Sequence, residues 1–163
     1  MKSLIIYYSY TGNTGKVAEI LKGILSQKGQ AEIHRLKPTD ESNNFFVQAA
    51  GAFTGKRAKL PEEWLDLSGY DLVCLGTPVW AFAPTPAINT YLDKCRNLDG
   101  KDAICFVTYA SGAGVKRCVN TMIEKLKQKG AFKISSFNIQ QGKVGDAEFV
   151  EQGIKEALEM FSV

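Results

Sequence analysis

The sequence predicts an α/β domain in which a parallel five-stranded sheet is covered by helices on both faces. Three observations lead there. Short apolar runs rich in β-favouring residues alternate with segments of helical period from end to end of the chain. Each such run is followed by a polar or glycine-bearing loop and then by a helical pattern, so successive strands are joined by crossovers and lie parallel. The 163 residues suit one domain, residues 1–163, large enough to bury roughly two thirds of its unfolded surface without disulfide or metal staples.

The first run, Leu4 to Tyr8, is uninterrupted, as expected of a strand covered on both faces. Val17, Ile20, Leu21, Ile24 and Leu25 then recur at i, i+3, i+4, i+7 and i+8, the stripe of an amphipathic helix that Gly29 ends. Ala31 to Leu36 is the second strand. Residues 38–69 are irregular, with one helix suggested by Phe45, Phe46, Ala49, Ala50 and Phe53, and with Trp64 and Leu67 packing the return into a third strand at Leu72 to Leu75. Thr85 and Pro86 form an N-cap and first-turn pair for a helix that turns Ile88, Tyr91, Leu92 and Cys95 inward. The fourth strand is Ala103 to Val107. A helix striped by Val115, Cys118, Val119, Met122 and Leu126 follows and stops at Gly130. A fifth strand at Phe132 to Ile139 and a helix carrying Phe149, Val150, Ile154, Ala157, Leu158 and Phe161 complete the pattern.

Composition removes several function classes. The opening apolar run is too short and too quickly polar for a signal peptide, and no segment approaches the ~20 apolar residues of a membrane span, which points to a cytoplasmic protein without membrane attachment. Cys74, Cys95, Cys105 and Cys118 fall on apolar stripes with no CxxC spacing, so they read as reduced, buried thiols. His34 is the only histidine and lies in a strand, which argues against zinc or a histidine-based triad. The net charge of +3 is modest. Its one local cluster, Lys56, Arg57 and Lys59, lacks interleaved exposed aromatics and reads as a solvated loop and not a nucleic-acid surface.

The chemistry concentrates where the strands end, since in doubly wound sheets ligands bind outside the carboxyl ends at the switch point of strand order. With the order 2-1-3-4-5, the loops after the first and third strands are neighbours and hold one ligand together. The first of these, Ser9-Tyr10-Thr11-Gly12-Asn13-Thr14, offers short polar side chains and a glycine at a helix N-terminus, which suits a phosphate dianion. The alternative is an ordinary strand-to-helix loop with Thr14 as N-cap. It is not a Walker A loop, because Gly12, Gly15 and Lys16 are too closely spaced and Val17 follows the lysine. Gly112 and Gly114 begin a dinucleotide fingerprint, but Arg117 occupies the third glycine position. The loop after the third strand, GTPVWAFAPTPA, holds Trp80 and Phe82 in a stretch that Pro78, Pro84 and Pro86 keep irregular, so stacking on a flat ligand accounts for both rings. The loop after the fourth, TYASGAG, adds Tyr109 and small residues whose backbone can approach a ring edge. Together these suit a flat heteroaromatic that carries a phosphate.

On the SYTGNT, GTPVW and TYASGAG segments, in this order and spacing, the sequence resembles the flavodoxin family from Met1 to Val163. The resemblance implies a flavodoxin-like three-layer sandwich of strand order 2-1-3-4-5 and FMN as cofactor. Ser9, Tyr10, Thr11, Gly12, Asn13 and Thr14 match the loop that wraps the FMN phosphate. Thr77, Pro78, Val79, Trp80, Ala81 and Phe82 fall in the first flavin loop, with Trp80 as the stacking ring. Thr108, Tyr109, Ala110, Ser111, Gly112, Ala113 and Gly114 match the second flavin loop. The short span between Phe132 and Asp146 matches the short-chain kind.

The resemblance also exposes departures. The three loops contain no Asp or Glu, and Lys116 and Arg117 follow closely, so the second reduction of the flavin is expected to be easier than in an acidic flavodoxin. Trp80 to Ala83 contain no glycine, so positive φ there is expected to be costly and two-electron chemistry to be favoured. The basic segment at 56–59 argues that partners are not the usual basic reductases. The first functional reading is an FMN-binding electron carrier exchanging electrons with redox proteins or small donors and acceptors. The alternative is an FMN-dependent NAD(P)H:quinone-type oxidoreductase. A third reading, a phosphate-ligand or signalling domain without flavin, is weakened by the lack of an acidic cluster at Ser9 and Gly76, where the first and third strands end.

Overall fold

The computed structural model describes residues 1–38, 50 and 64–161. Within them the order is β1 (Lys2–Tyr7), α1 (Asn13–Ser26), β2 (Gln30–Arg35), β3 (Leu72–Pro78), α2 (Pro86–Lys94), β4 (Asp102–Tyr109), α3 (Val115–Gln128), β5 (Ile134–Gln140), a 3-10 turn at Gln141–Lys143, and α4 (Ala147–Glu159). All pairings are parallel and the sheet order is β2-β1-β3-β4-β5. The suggested helix around Phe45 to Phe53 and the basic cluster at 56–59 lie outside the described residues, apart from Ala50. No helix among the described residues is long and apolar enough to cross a membrane.

The period-2 alternation of strand side chains divides the core in two. Leu4, Ile6, Val73, Leu75, Cys105 and Val107 face α2 and α3, where Ile88, Tyr91, Cys118 and Met122 meet them. Ile5, Cys74, Ile104 and Phe106 face α1 and α4, against Val17, Leu21, Val150 and Ile154. Every residue of β3 is buried, as expected of the central strand of a sheet covered on both sides. Gly76 of β3 leaves room for the ring of Phe106, whose Cζ lies 2.1 Å from where a Cβ would stand. All four cysteines are free and buried, as their apolar settings predict.

Several sequence expectations shift locally. β5 begins at Ile134, two residues after the predicted start, and Phe132 is 71% exposed in the preceding turn. Phe149, expected on the inner stripe of α4, lies in its first turn and is nearly half exposed, lining a surface hollow beside Phe137 and Ile139 of β5. Thr85 and Pro86 do open α2, yet the Thr85 side chain makes no capping bond. Its hydroxyl lies 3.2 Å from the Thr77 hydroxyl, which also accepts from the Thr85 amide. His34 stacks on Trp64 with ring centroids 3.5 Å apart, a packing role within β2.

Candidate functional site

The phosphate loop bridges β1 and α1 across the switch point between β1 and β3. Gly12 has φ +92°, a conformation that suits glycine, and it precedes α1 without any side-chain cap. The first-turn amides of α1 therefore remain open at the positive end of the helix, and no acidic side chain occupies that turn. Thr14 is not the N-cap considered from the sequence. It is the second residue of α1 and buried, and its hydroxyl shares a 2.8 Å hydrogen bond with that of Thr108 on β4, tying the phosphate loop to the third loop. Ser9 is also buried, and its Oγ has no hydrogen-bond partner among the described residues. Behind it, Arg35 at the end of β2 donates from Nη2 to the Ser9 carbonyl at 2.6 Å. This cation is invisible to motif reading because it reaches the loop only through the parallel pairing Tyr7↔Arg35. Tyr7 packs beneath Gly15, and burial followed by the Glu19 carboxylate raises its phenol pKa, with Arg35 opposing.

The second loop differs most from expectation. The lack of a strand or helix period makes both Trp80 and Phe82 candidates for stacking, and the family resemblance makes Trp80 the stacking ring. In the structure it is only 5% exposed, sits in the core cluster, and receives Tyr8 and Tyr10 at centroid distances of 5.6 and 5.8 Å in edge geometry. A tight turn buries it: Trp80 and Ala83 exchange both backbone hydrogen bonds, at 3.0 and 2.9 Å, and the two central residues have positive φ, +46° at Ala81 and +67° at Phe82. That is the arrangement of a type I′ turn, usually filled by glycine or asparagine. Positive φ without glycine is costly, as the sequence leads one to expect; the chain nevertheless adopts it with alanine and phenylalanine, and the strain is held by the surrounding contacts. The exposed ring of this loop is Phe82, at 44%. It rests on Gly114, whose φ is +82° and where a Cβ would stand 2.3 Å from Phe82 Cδ1.

The second and third loops enclose a cleft of about 260 Å³ lined by Val79, Ala81, Phe82, Ala110, Ser111 and Ala113. Val79 N–H donates to Thr108 O at 2.9 Å and fixes the relative height of its walls. Thr77, Pro78 and Thr108 are buried strand-end residues. The Thr77 hydroxyl lies 3.0 Å from Pro78 O, so its bonds stay within the loop and the start of α2. Thr11 and Gly12 are exposed, while Tyr10, Asn13 and Tyr109 are half-buried. Gly112 and Gly114 border a shallower groove along α3. The structure therefore gathers the three predicted segments at one end of the sheet, with Val79, Ala81 and Phe82 of the second loop and Ala110, Ser111 and Ala113 of the third around one cleft.

These features fit a phosphorylated flat ring. The uncapped α1 terminus, the unbonded Ser9 hydroxyl and the nearby Arg35 can satisfy a dianion. The cleft walls offer methyl groups, backbone and one exposed ring to a heteroaromatic, with no carboxylate or cation in the three loops.

The chain matches the profile of the family described as Flavodoxin over residues 2–161. Comparison with curated proteins gives no significant match. Similar solved structures include a flavoprotein from Lactobacillus acidophilus in complex with FMN, at 23% identity over 90% of this chain and 98% of that one, TM-score 0.64. Another is oxidised Flavodoxin 1 from Bacillus cereus, at 22% identity over 95% and 98% of the two chains, TM-score 0.61. A third is an NADH:FMN oxidoreductase in its apo form, at 19% identity over 99% and 88%, TM-score 0.70. Likeness at such identities is a likeness of fold, here the β2-β1-β3-β4-β5 sheet with its switch-point loops. With the match across 2–161, the chain belongs to the flavodoxin family.

Proposed function

We infer that the protein is an FMN-dependent redox protein whose first task is to carry electrons between other proteins. The observation that carries this reading is the buried Ser9 hydroxyl, without a hydrogen-bond partner among the described residues, beside the uncapped α1 terminus, at the same end of the sheet as a neutral cleft. Ser9, Thr11, Asn13 and the first-turn amides of α1 would hold the phosphate, with Arg35 supplying charge through the loop. Val79, Ala81, Phe82 and the Ala110–Ala113 segment would line the ring. The cofactor supplies the electron transfer; the chain positions it, excludes water from one side and sets the local field. The three loops carry no histidine, carboxylate or lysine, so in this reading the chemistry belongs to the cofactor.

A neutral cleft without carboxylates imposes little electrostatic penalty on a negatively charged reduced ring, so the second reduction potential is expected to lie well above that of an acidic flavodoxin. Stepwise anaerobic reduction of the FMN-reconstituted protein, followed by its visible spectrum and potential, tests both cofactor and electron count. A very low second potential would contradict the neutral-cleft argument. The NAD(P)H:quinone-type oxidoreductase reading is supported by the fold shared with the NADH:FMN oxidoreductase over 99% of this chain. Sustained NAD(P)H consumption with a quinone acceptor would favour it over the carrier.

A further inference from the structure

We propose that the cofactor end of the sheet docks an acidic electron-transfer protein, with Phe82 at the apolar centre of the contact and Lys116 and Arg117 as its principal charged anchors. The proposal rests on the FMN redox reading and names the partner that this reading leaves open.

Three independent observations converge. The first is charge. Among the described residues around the carboxyl ends of the strands, and in the helix turns that follow, stand Lys16, Arg35, Lys37, Lys116, Arg117 and Lys143, opposed by Glu19, Asp146 and Glu148. Asp146 is already engaged as the cap of α4, accepting from the Phe149 amide at 3.1 Å. Among the described residues this end therefore carries an excess of cations, in a chain whose net charge is only +3.

The second is placement against local stability. Lys116 and Arg117 are exposed in the first turn of α3, where the helix dipole is positive and cations are disfavoured. Neither makes an ion pair among the described residues. By contrast α4 opens with Asp146 and Glu148, the arrangement that its dipole favours. The fold gains nothing from the α3 pair.

The third is the apolar centre that these cations border. Lys116 and Arg117 line a groove with Gly112, Gly114 and Asn120, with Thr121 and the one acid, Glu124, at its far end along α3, and Gly114 is the residue on which Phe82 rests. Phe82 is nearly half exposed, held outward by a strained turn beside the cleft. An exposed aromatic among small residues, bordered on one side by cations, is the composition of a protein-docking surface, in which the centre gives contact and the rim steers encounter. Close approach here would bring a partner's redox centre to the cleft mouth.

The test uses the FMN-loaded protein and, as probe, a reduced acidic [2Fe–2S] ferredoxin, which gives one electron from its cluster to the oxidised flavin. Stopped-flow rates are measured from low to high salt for the parent and the K116E/R117E variant, with a basic cytochrome c that accepts an electron from the reduced protein as opposite-charge control. The expected result is a ferredoxin rate that falls with salt, drops about tenfold or more in the variant at low salt, and converges at high salt. The cytochrome control should respond in the opposite sense. Because the substitutions suit the helix dipole, the variant should melt no lower than the parent and keep its FMN, so a slower rate is not a folding defect. Equal parent and variant rates, or no salt dependence, would overturn the proposal. So would a variant that keeps its ferredoxin rate but has a raised KM for NADPH, since the cations would then serve a dinucleotide phosphate. A protein that shows no flavin spectrum before mixing defeats the cofactor reading itself, and the docking proposal with it.

Discussion

Ser9 carries the most specific chemical statement in the chain. A buried hydroxyl without a partner costs free energy in the cofactor-free protein and regains it only when an acceptor arrives. Ser9→Ala should therefore leave the apoprotein as stable as the parent, or slightly more so, while weakening FMN binding by roughly tenfold to a hundredfold, the worth of a hydrogen bond to a charged group. Riboflavin, which lacks the phosphate, is the control. Its affinity should be unchanged, and equal losses for both ligands in fluorescence titrations would place Ser9 outside the phosphate site. Arg35 belongs to the same argument: it touches the loop through a carbonyl, so it acts by charge and by fixing loop shape.

At the scale of elements, the cleft depends on two loops leaning on each other at a single glycine. Gly114 combines φ +82° with a contact to Phe82 so close that a methyl group would stand 2.6 Å from the Phe82 Cα. Gly114→Ala must therefore strain α3's entry and displace the Trp80–Ala83 turn, at a cost on the order of 2 kcal/mol or more. Thermal unfolding of apoprotein and holoprotein is the measurement, with the holoprotein losing more because the displaced turn forms the cleft wall. Gly12→Ala is the informative comparison, since Gly12 has φ +92° but no atom within 4 Å of the added methyl, so only backbone strain should register. Equal losses in the two variants would show that the loop–loop contact contributes little.

For the whole molecule, the buried ionisable groups set the alkaline limit of the fold. Burial raises the Cys74 and Cys105 thiols far above their usual 9.0, and raises Cys118 to about 12. It likewise raises Tyr91 strongly, and raises Tyr70, which also donates to Glu32, to about 12. In each case the folded state holds its proton at a pH where the unfolded chain has released it. The stabilisation is complete below the unfolded values of 9.0 and 10.0 and is lost as pH rises towards the folded ones. Melting temperature measured from pH 7 to 11 under reducing conditions should thus hold to about pH 9 and then fall steeply. A flat profile to pH 11 would show that these groups are open to water. On the acid side the lowered carboxyls, Glu32 beside Tyr70 and Lys2 and Asp66 beside Asn97 and Ser68, are surface groups, so the dependence there should be shallow.

What the sequence determined by itself is whatever local pattern controls: the alternation of strands and helices, the uninterrupted burial of β3, the reduced cysteines, and the glycine-bearing loop at the start of α1. These follow from side-chain periodicity and from backbone freedom at Gly12, which neighbours in the chain suffice to set. Tertiary structure decided the rest, because each remaining feature depends on a residue distant in sequence. Trp80 became core because Tyr8 and Tyr10 meet it from another loop, leaving Phe82 as the exposed ring. Thr14 left its capping role because Thr108 lies opposite it, 94 positions along the chain. Arg35 reached the phosphate loop through strand pairing, and Ala81 and Phe82 took positive φ in the tight turn that closes with both backbone hydrogen bonds between Trp80 and Ala83.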